Sequence, residues 1–190
     1  MLSVLHVDSR GPAISARLAD AGAGGAVVTS RVNIRWLTGF TGSAGTLIVG
    51  AEAGSSMVLV TDGRYAEQAA RETAAARADV VVVERRAQAE IRSAVATHMA
   101  SFAGAQATWA LEVDDISLAD YEALVAASDA AGVCLSRDRV VDATPVLGDL
   151  RRVKSAPEIE RIARAARIAD EALAEVAPMI APGTTEAEIR

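Results

Sequence analysis

Aromatic side chains are scarce, with two Trp, two Tyr and two Phe among 190 residues. A core must therefore be built mainly from alanine, valine, leucine and isoleucine, so each aromatic marks a position worth placing. There is one cysteine, Cys134. That excludes an intrachain disulfide and suits a reducing compartment, so cytoplasmic residence is expected. It lies in the apolar run Gly132-Val-Cys-Leu135 and reads as a buried structural thiol. The two histidines, His6 and His98, have neither a second His nor an acid pair at metal-ligand spacing. His98 falls on an expected helix and reads as a surface or packed residue. A basic stripe is missing too. The net charge is −6, with acids and arginines mixed along the chain, which argues against a nucleic-acid or anionic-membrane partner. No apolar window approaches the roughly 20 residues of a membrane span. The first eight residues lack a basic n-region and a sustained apolar run, so no signal peptide is expected.

What is present is 51% hydrophobic and 23% charged residues, enough to bury a sizeable core. Hydrophobic periodicity predicts helices over 12–21, 63–76, 88–102 and 117–130. The first has Ile14 and Leu18 four apart, and the third has Ile91, Val95 and Met99. The fourth places Leu118, Tyr121, Leu124 and Val125 on one side. Short apolar runs predict strands over 26–30, 46–50, 57–60, 79–83, 108–112 and 133–135, with a brief turn or helix over 33–37. Residues 51–56 read as a hairpin-type connection. Alternation of strands and helices implies an α/β domain with a sheet covered by helices, and the hairpin makes that sheet mixed.

The domain is expected to span 1–142, with a linker over 143–154. Ser155-Ala-Pro-Glu158 is a capping box with proline just inside the helix start. Ile159, Ile162, Ala166, Leu173, Val176 and Ile180 then recur at helical spacing. After Pro182-Gly183, Thr185 and Glu188 form a second capping signature, for a helix from about Glu186. The 155–190 segment is thus expected to open a second domain.

The loop Gly39-Phe-Thr-Gly-Ser-Ala-Gly45 suggests phosphate binding but fits no standard pattern. Its glycines are spaced G-x-x-G-x-x-G and lead into a strand, no Gly-Lys-Ser/Thr is present, and a nucleophile elbow would need Ser at position 41. Tight turning and close backbone approach explain it better. Asp114-Asp115 precedes the expected helix at Ser117 and reads as capping charge rather than a metal pair. Asp62-Gly-Arg-Tyr65 is more specific: an acid, a guanidinium and a phenol at a strand-to-helix junction, where grooves form. Asp62 could equally cap the helix from residue 63 and pair with Arg64. No nucleophile has an identifiable base and orienting group.

Asn33-Ile-Arg-Trp-Leu-Thr-Gly-Phe-Thr-Gly-Ser43, followed by Thr61-Asp-Gly-Arg-Tyr65, resembles the N-terminal domain of Xaa-Pro aminopeptidases. This is the creatinase/prolidase N-terminal domain of the "pita-bread" metallopeptidases, in which Tyr usually stands at the place of Trp36. Three further segments resemble the family in the right order: Trp109-Ala-Leu-Glu112, the junction Leu150-Arg-Arg-Val-Lys-Ser155 with Glu158-Ile159, and Ala181-Pro-Gly-Thr-Thr-Glu186. The resemblance implies a ribonuclease H-like mixed sheet, followed by the start of the pita-bread domain. It also implies a parent hydrolase that removes the residue before proline, using two divalent metals, manganese or cobalt. The ligands, two Asp, one His and two Glu, belong to the catalytic domain, and none can be assigned within these 190 residues. No catalytic residue, metal ligand or cofactor is therefore expected in this chain. In the family this domain supports oligomers, here expected as a homodimer, and closes over the active site that takes a proline-containing peptide. Candidates for substrate or subunit contact are Asn33, Arg35, Phe40, Ser43, Asp62, Arg64 and Tyr65. A stand-alone binding or oligomerisation module, or the N-terminal domain of a creatinase-type amidinohydrolase, are the other readings.

Overall fold

A computed structural model describes residues 5–189. The reading of residues 1–4 as part of a signal-free N-terminus, and the Arg190 end of the last helix, lie outside the described residues. The chain divides into two compact units, one covering His6–Arg152 and the other running from Val153 onward.

The first unit is an α/β domain. Its elements run α1 (Arg10–Asp20), β1 (Gly25–Val28), α2 (Arg31–Thr38), β2 (Thr46–Gly50), β3 (Met57–Asp62), α3 (Ala66–Ala75), β4 (Val80–Arg85), α4 (Gln88–Phe102), β5 (Trp109–Leu111), α5 (Leu118–Ala130), β6 (Val140–Asp142) and α6 (Thr144–Arg152). The strands form one sheet in the order β4-β3-β2-β1-β5-β6. The β1–β2 and β2–β3 pairs are antiparallel, while β1–β5, β5–β6 and β3–β4 are parallel. All strands but β2 therefore point the same way, which is the mixed sheet expected.

Both faces of the sheet are covered, so its central strands are continuously apolar rather than alternating. Ala26, Val28, Leu47, Val49 and Leu59 face one core, with Ile14 and Leu18 of α1, Ile34 and Leu37 of α2, and Leu147 of α6. Val27, Ile48, Val58, Val60 and Leu111 face the other, with Val95 and Met99 of α4 and Leu124 of α5. Trp109 is wholly buried in this second core, where one large ring does the filling that several smaller side chains would otherwise share.

Several expectations change. The stretch 143–154 is not a linker, because it holds α6, whose Leu147 is 1% exposed. The Asp142 carboxylate accepts the Thr144 N–H at 2.8 Å at the start of that helix. The compact unit accordingly ends at Arg152 rather than 142. Residues 133–135 are not a strand. Val133 and Leu135 are buried in the second core, so the apolar signal was correct, but the backbone there is irregular and the last strand is β6. Cys134 between them is only half-buried, with Sγ 3.6 Å from Ser136 Oγ. Finally, Leu118 of α5 is exposed rather than packed beside Leu124.

In the second unit, α7 (Ala156–Val176) begins at the capping box. Ser155 donates from its backbone N–H and its hydroxyl to Glu158 Oε2, at 2.8 and 2.9 Å. Ile159, Ile162, Ile168 and Leu173 are exposed along it. The Thr185 N–H and hydroxyl make the same pair of bonds to Glu158's counterpart, Glu188, and α8 (Glu186–Ile189) follows.

Candidate functional site

Because β1, β3, β4 and β5 are parallel, their carboxyl ends lie at one end of the sheet. A groove of about 900 Å³ opens there, the usual place for a ligand crevice in an α/β sheet. Apolar side chains from the second core, Val27, Val60, Val95 and Leu124, line it together with Ser43, Asp62, Arg64, Arg86, Arg92 and Asp120.

Asp62 ends β3 and Arg64 follows two residues later. Asp62 Oδ1 accepts the Arg64 N–H and its Nε–H, both at 3.0 Å, while Oδ2 accepts from Nη2 at 2.8 Å. This is a side-chain turn plus a bidentate ion pair, so Asp62 does not cap a helix as one reading of the sequence had it. The helix begins later, at Ala66. The Arg64 guanidinium holds the Asp62 carboxyl below the usual carboxylate range, and the carboxylate in turn raises the Arg64 pKa. The Arg64 guanidinium also stands over the Tyr65 ring, 5.3 Å from its centroid, a cation–π contact. The Tyr65 and Ser43 hydroxyls are 2.7 Å apart. Ser43, Asp62, Arg64 and Tyr65 thus form one contiguous cluster, and all but Tyr65 line the groove directly.

The glycine loop is held down by α3. Glu72 Oε2 accepts the Thr41 N–H at 2.7 Å and Oε1 accepts the Thr41 hydroxyl at 2.8 Å. Gln68 Nε2 donates to the Thr41 hydroxyl and to Glu72 Oε1. Burial pushes the Glu72 carboxyl up, but the bonds from Thr41 and Gln68 outweigh it and leave the group below its usual range. A loop amide that an anion-binding loop would offer to phosphate is therefore bound to a carboxylate. Gly39 ends α2 with φ +79°, and Gly42 permits a close approach: a Cβ there would lie 2.1 Å from Phe40 Cζ and 2.9 Å from Tyr65 Cδ1.

The remaining candidates separate. Arg35 is exposed on α2 and does not line the groove. Phe40 is a core residue, 1% exposed, whose ring meets Tyr65 edge-on with centroids 6.1 Å apart; it supports the cluster from beneath. Asn33 is buried. Its amide donates to Glu112 Oε1, and its Oδ1 accepts from Arg151 Nη1 at 2.8 Å. Glu112 Oε2 accepts the Thr29 and Ser30 N–H groups at 2.6 and 2.8 Å, placing a carboxylate at the α2 N-terminus, where the helix dipole favours it. The Thr29 hydroxyl donates to Asp115, so Asp115 ties down this turn, while Ser117 caps α5 by accepting the Asp120 N–H.

Sequence reasoning missed Gln68, Glu72 and Arg10. Gln68 and Glu72 are four apart, a helical spacing that faces one neighbour. Arg10 donates to the Trp36 carbonyl and lies 4.7 Å from its ring centroid, and nothing in the sequence pattern marked it.

Chemically the cluster offers two hydroxyls, a carboxylate and a guanidinium at the groove rim. The Ser43 hydroxyl faces another hydroxyl, and such a pair without an imidazole or carboxylate supplies no base to make a nucleophile. Among the described residues no group of three or more His, Cys, Asp or Glu is placed to hold a metal ion. Also among the described residues, no helix is long and apolar enough to cross a membrane.

The profile of the Creatinase/Prolidase N-terminal domain matches residues 10–153, which takes in α1 through α6. The chain belongs to that family. A curated relative of this creatinase/prolidase N-terminal domain is "Uncharacterized peptidase YqhT" of Bacillus subtilis, 27% identical over 170 residues that cover 87% of the chain and 42% of that protein. Among solved structures, an Xaa-Pro dipeptidase from Bacillus anthracis superposes with a TM-score of 0.78 at 25% identity, covering 95% of the chain and 46% of its own. The N-terminal domain of the cytoplasmic peptidase PepQ from Mycobacterium tuberculosis H37Rv superposes with a TM-score of 0.60 at 26% identity, covering 74% of the chain and 98% of its own. The chain spans less than half the length of the first two relatives.

Proposed function

We propose that this chain is the N-terminal, non-catalytic part of a metal-dependent, cytoplasmic Xaa-Pro peptidase, serving oligomerisation and closure of the active site. The supporting observation is the Ser43–Tyr65–Arg64–Asp62 cluster. It joins both segments that carry the family resemblance into one patch on the groove rim, in which the Ser43 hydroxyl meets the Tyr65 hydroxyl and the Asp62 carboxylate is engaged by Arg64. Such a patch can bind and orient a peptide or a neighbouring subunit without performing hydrolysis. The metals, manganese or cobalt, would be held outside the first unit, in a catalytic domain that residues 155–190 begin. They would activate water and polarise the scissile carbonyl. Exposed apolar residues on α7 fit this assignment, since an apolar stripe is normally covered by further protein.

The test is turnover of an Xaa-Pro dipeptide with added manganese. The 190-residue chain alone should be inactive, and the same chain continued by a segment bearing the two Asp, one His and two Glu should be active. In that longer protein Arg64→Ala or Tyr65→Phe should impair turnover or assembly while leaving metal content intact. Chelator-sensitive turnover by the 190-residue chain alone would overturn the non-catalytic assignment. Hydrolysis of creatine in place of the dipeptide would move the chain to the amidinohydrolases.

A further inference from the structure

The two edges of the sheet differ. β6 is three residues long and runs at once into α6. β4 is six residues long and begins with four consecutive valines. Edge strands normally carry prolines, bulges or inward charges that block further pairing, and Val80–Val83 has none of these. Val81 is 51% exposed.

The direction of the free backbone groups can be read from one hydrogen bond. The Met57 N–H donates to the Asp79 carbonyl at 3.0 Å. Successive residues of a strand turn their N–H and C=O to opposite edges. Asp79, Val81, Val83 and Arg85 therefore engage β3, while Val80, Val82 and Glu84 direct their backbone groups outward. An antiparallel copy of β4 satisfies these groups only in registers that pair even-numbered residues with even-numbered ones. Centring the two-fold axis on Val82 sets Val82 against Val82, Val80 against Glu84, Val81 against Val83, and Asp79 against Arg85. The two-fold axis repeats each of the last three pairs. Moving the centre to Val81 sets Arg77 against Arg85, two like charges, and moving it to Val83 sets Arg85 against Val81. Only the Val82 register makes the strand complementary to itself in both charge and apolar contact.

We infer that β4 is a homodimerisation edge, pairing antiparallel with β4 of a second copy about Val82 to make one continuous sheet. The inference rests on the homo-oligomer reading above and assigns its surface. Arg85 Nη1 now donates to the Glu84 carbonyl at 2.6 Å, covering an outward group. In the dimer that carbonyl accepts the Val80 N–H of the copy, and the guanidinium turns to Asp79 of the copy. Val81 is covered against Val83.

Sedimentation equilibrium of the 190-residue chain tests this. Asp79→Arg should raise the dimer dissociation constant at least about tenfold, because two attractive pairs become repulsive. Arg85→Asp should do the same, and the double exchange Asp79→Arg with Arg85→Asp should restore association. Val82→Pro removes an outward N–H while sparing the bonds to β3, and should abolish the dimer with an unchanged circular dichroism spectrum. If the proline variant does not fold, the charge exchange decides alone. A dimer indifferent to the charge variants, or one that the double exchange fails to restore, overturns the edge pairing but leaves the oligomer reading standing. A wild-type chain that stays monomeric at every concentration overturns both.

Discussion

Glu112, at the end of β5, accepts a hydrogen bond from Asn33, which precedes it by 79 residues on α2. The parallel register Val27↔Leu111 explains the meeting: the next residues along each strand, Val28 and Glu112, emerge side by side, just where the chain turns into α2. The buried carboxylate fixes the helix start, Asn33 passes the contact on to Arg151 of α6, and Arg10 holds the other end of α2 at Trp36. The glycine loop that follows is delivered to the groove rim by a helix clamped at both ends.

Glu112→Ala should therefore be among the costlier single changes in the domain. It leaves the Thr29 and Ser30 N–H groups and the Asn33 amide without their acceptor, and should lower stability by about 3 kcal/mol. Glu112→Gln should also destabilise, by less. Its amide would meet the Asn33 donor, and Asn33 cannot turn over without presenting N–H groups to the Arg151 guanidinium. Urea unfolding would show the order wild type, Gln, Ala; equal midpoints for all three would remove the clamp.

Gly42→Ala tests the loop from the other side. The new methyl would collide with the rings of Phe40 and Tyr65, and Phe40, being buried, has little room to move. A loss of about 1–3 kcal/mol is expected. Tyr65 should also be displaced from Ser43, visible as altered tyrosine near-ultraviolet dichroism or fluorescence. A variant with wild-type stability and an unmoved Tyr65 signal would show that the loop has slack.

Much of the fold was legible because this sheet obeys simple patterning. The α4 helix was found at its observed bounds, since Ile91, Val95 and Met99 recur every four residues, and the central strands announced themselves as apolar runs. Legibility failed where burial and backbone regularity part company. Val133 and Leu135 pack like strand residues on irregular backbone. The short strand β6 lies among arginines and an aspartate, and α6 was hidden by Pro145 and Gly148. In the candidate site, residue type singles out Asp62, Arg64, Tyr65 and Ser43, and the structure brings these four together. Their pinning by Glu72 and Gln68 depends on α3 lying beside the loop, a long-range fact that local spacing does not carry.

The pH dependence of stability should fall into two windows. Burial, and then the charge of Arg85, lowers the His98 pKa below its ordinary 6.5. The unfolded chain therefore takes up that proton first, and stability present above pH 6.5 is lost as pH falls through the folded value. Asp62 is lowered by Arg64, and Asp120 by the Ser117 hydroxyl and then Arg92, from an ordinary 3.8. Their contribution is present above that value and is lost as pH falls through the lower folded values. Melting temperature should thus decline slightly below pH 6.5 and steeply below pH 4. His98→Gln should flatten only the first decline. An unchanged profile in that variant would reassign the first window to another group.

Limited proteolysis should report the boundary that the sequence placed too early. Arg152 ends α6, Val153 is 80% exposed, and Lys154 and Ser155 are exposed between α6 and the α7 capping box. Trypsin needs several residues in extended form around its cleavage site, so it should cut first after Arg152 or Lys154. Arg151 should resist, because its guanidinium is bound to Asn33 and its backbone is helical. The expected product is a fragment retaining α6, which persists because Leu147 and Leu150 hold that helix to the first core. Leu147→Ala removes a wholly buried side chain and should cost about 2–5 kcal/mol. It should also shift early cleavage back toward residue 142. Mass spectrometry of the first fragments reads both outcomes, and early cutting of the wild-type chain between 142 and 150 would return the segment to the linker that its composition suggested.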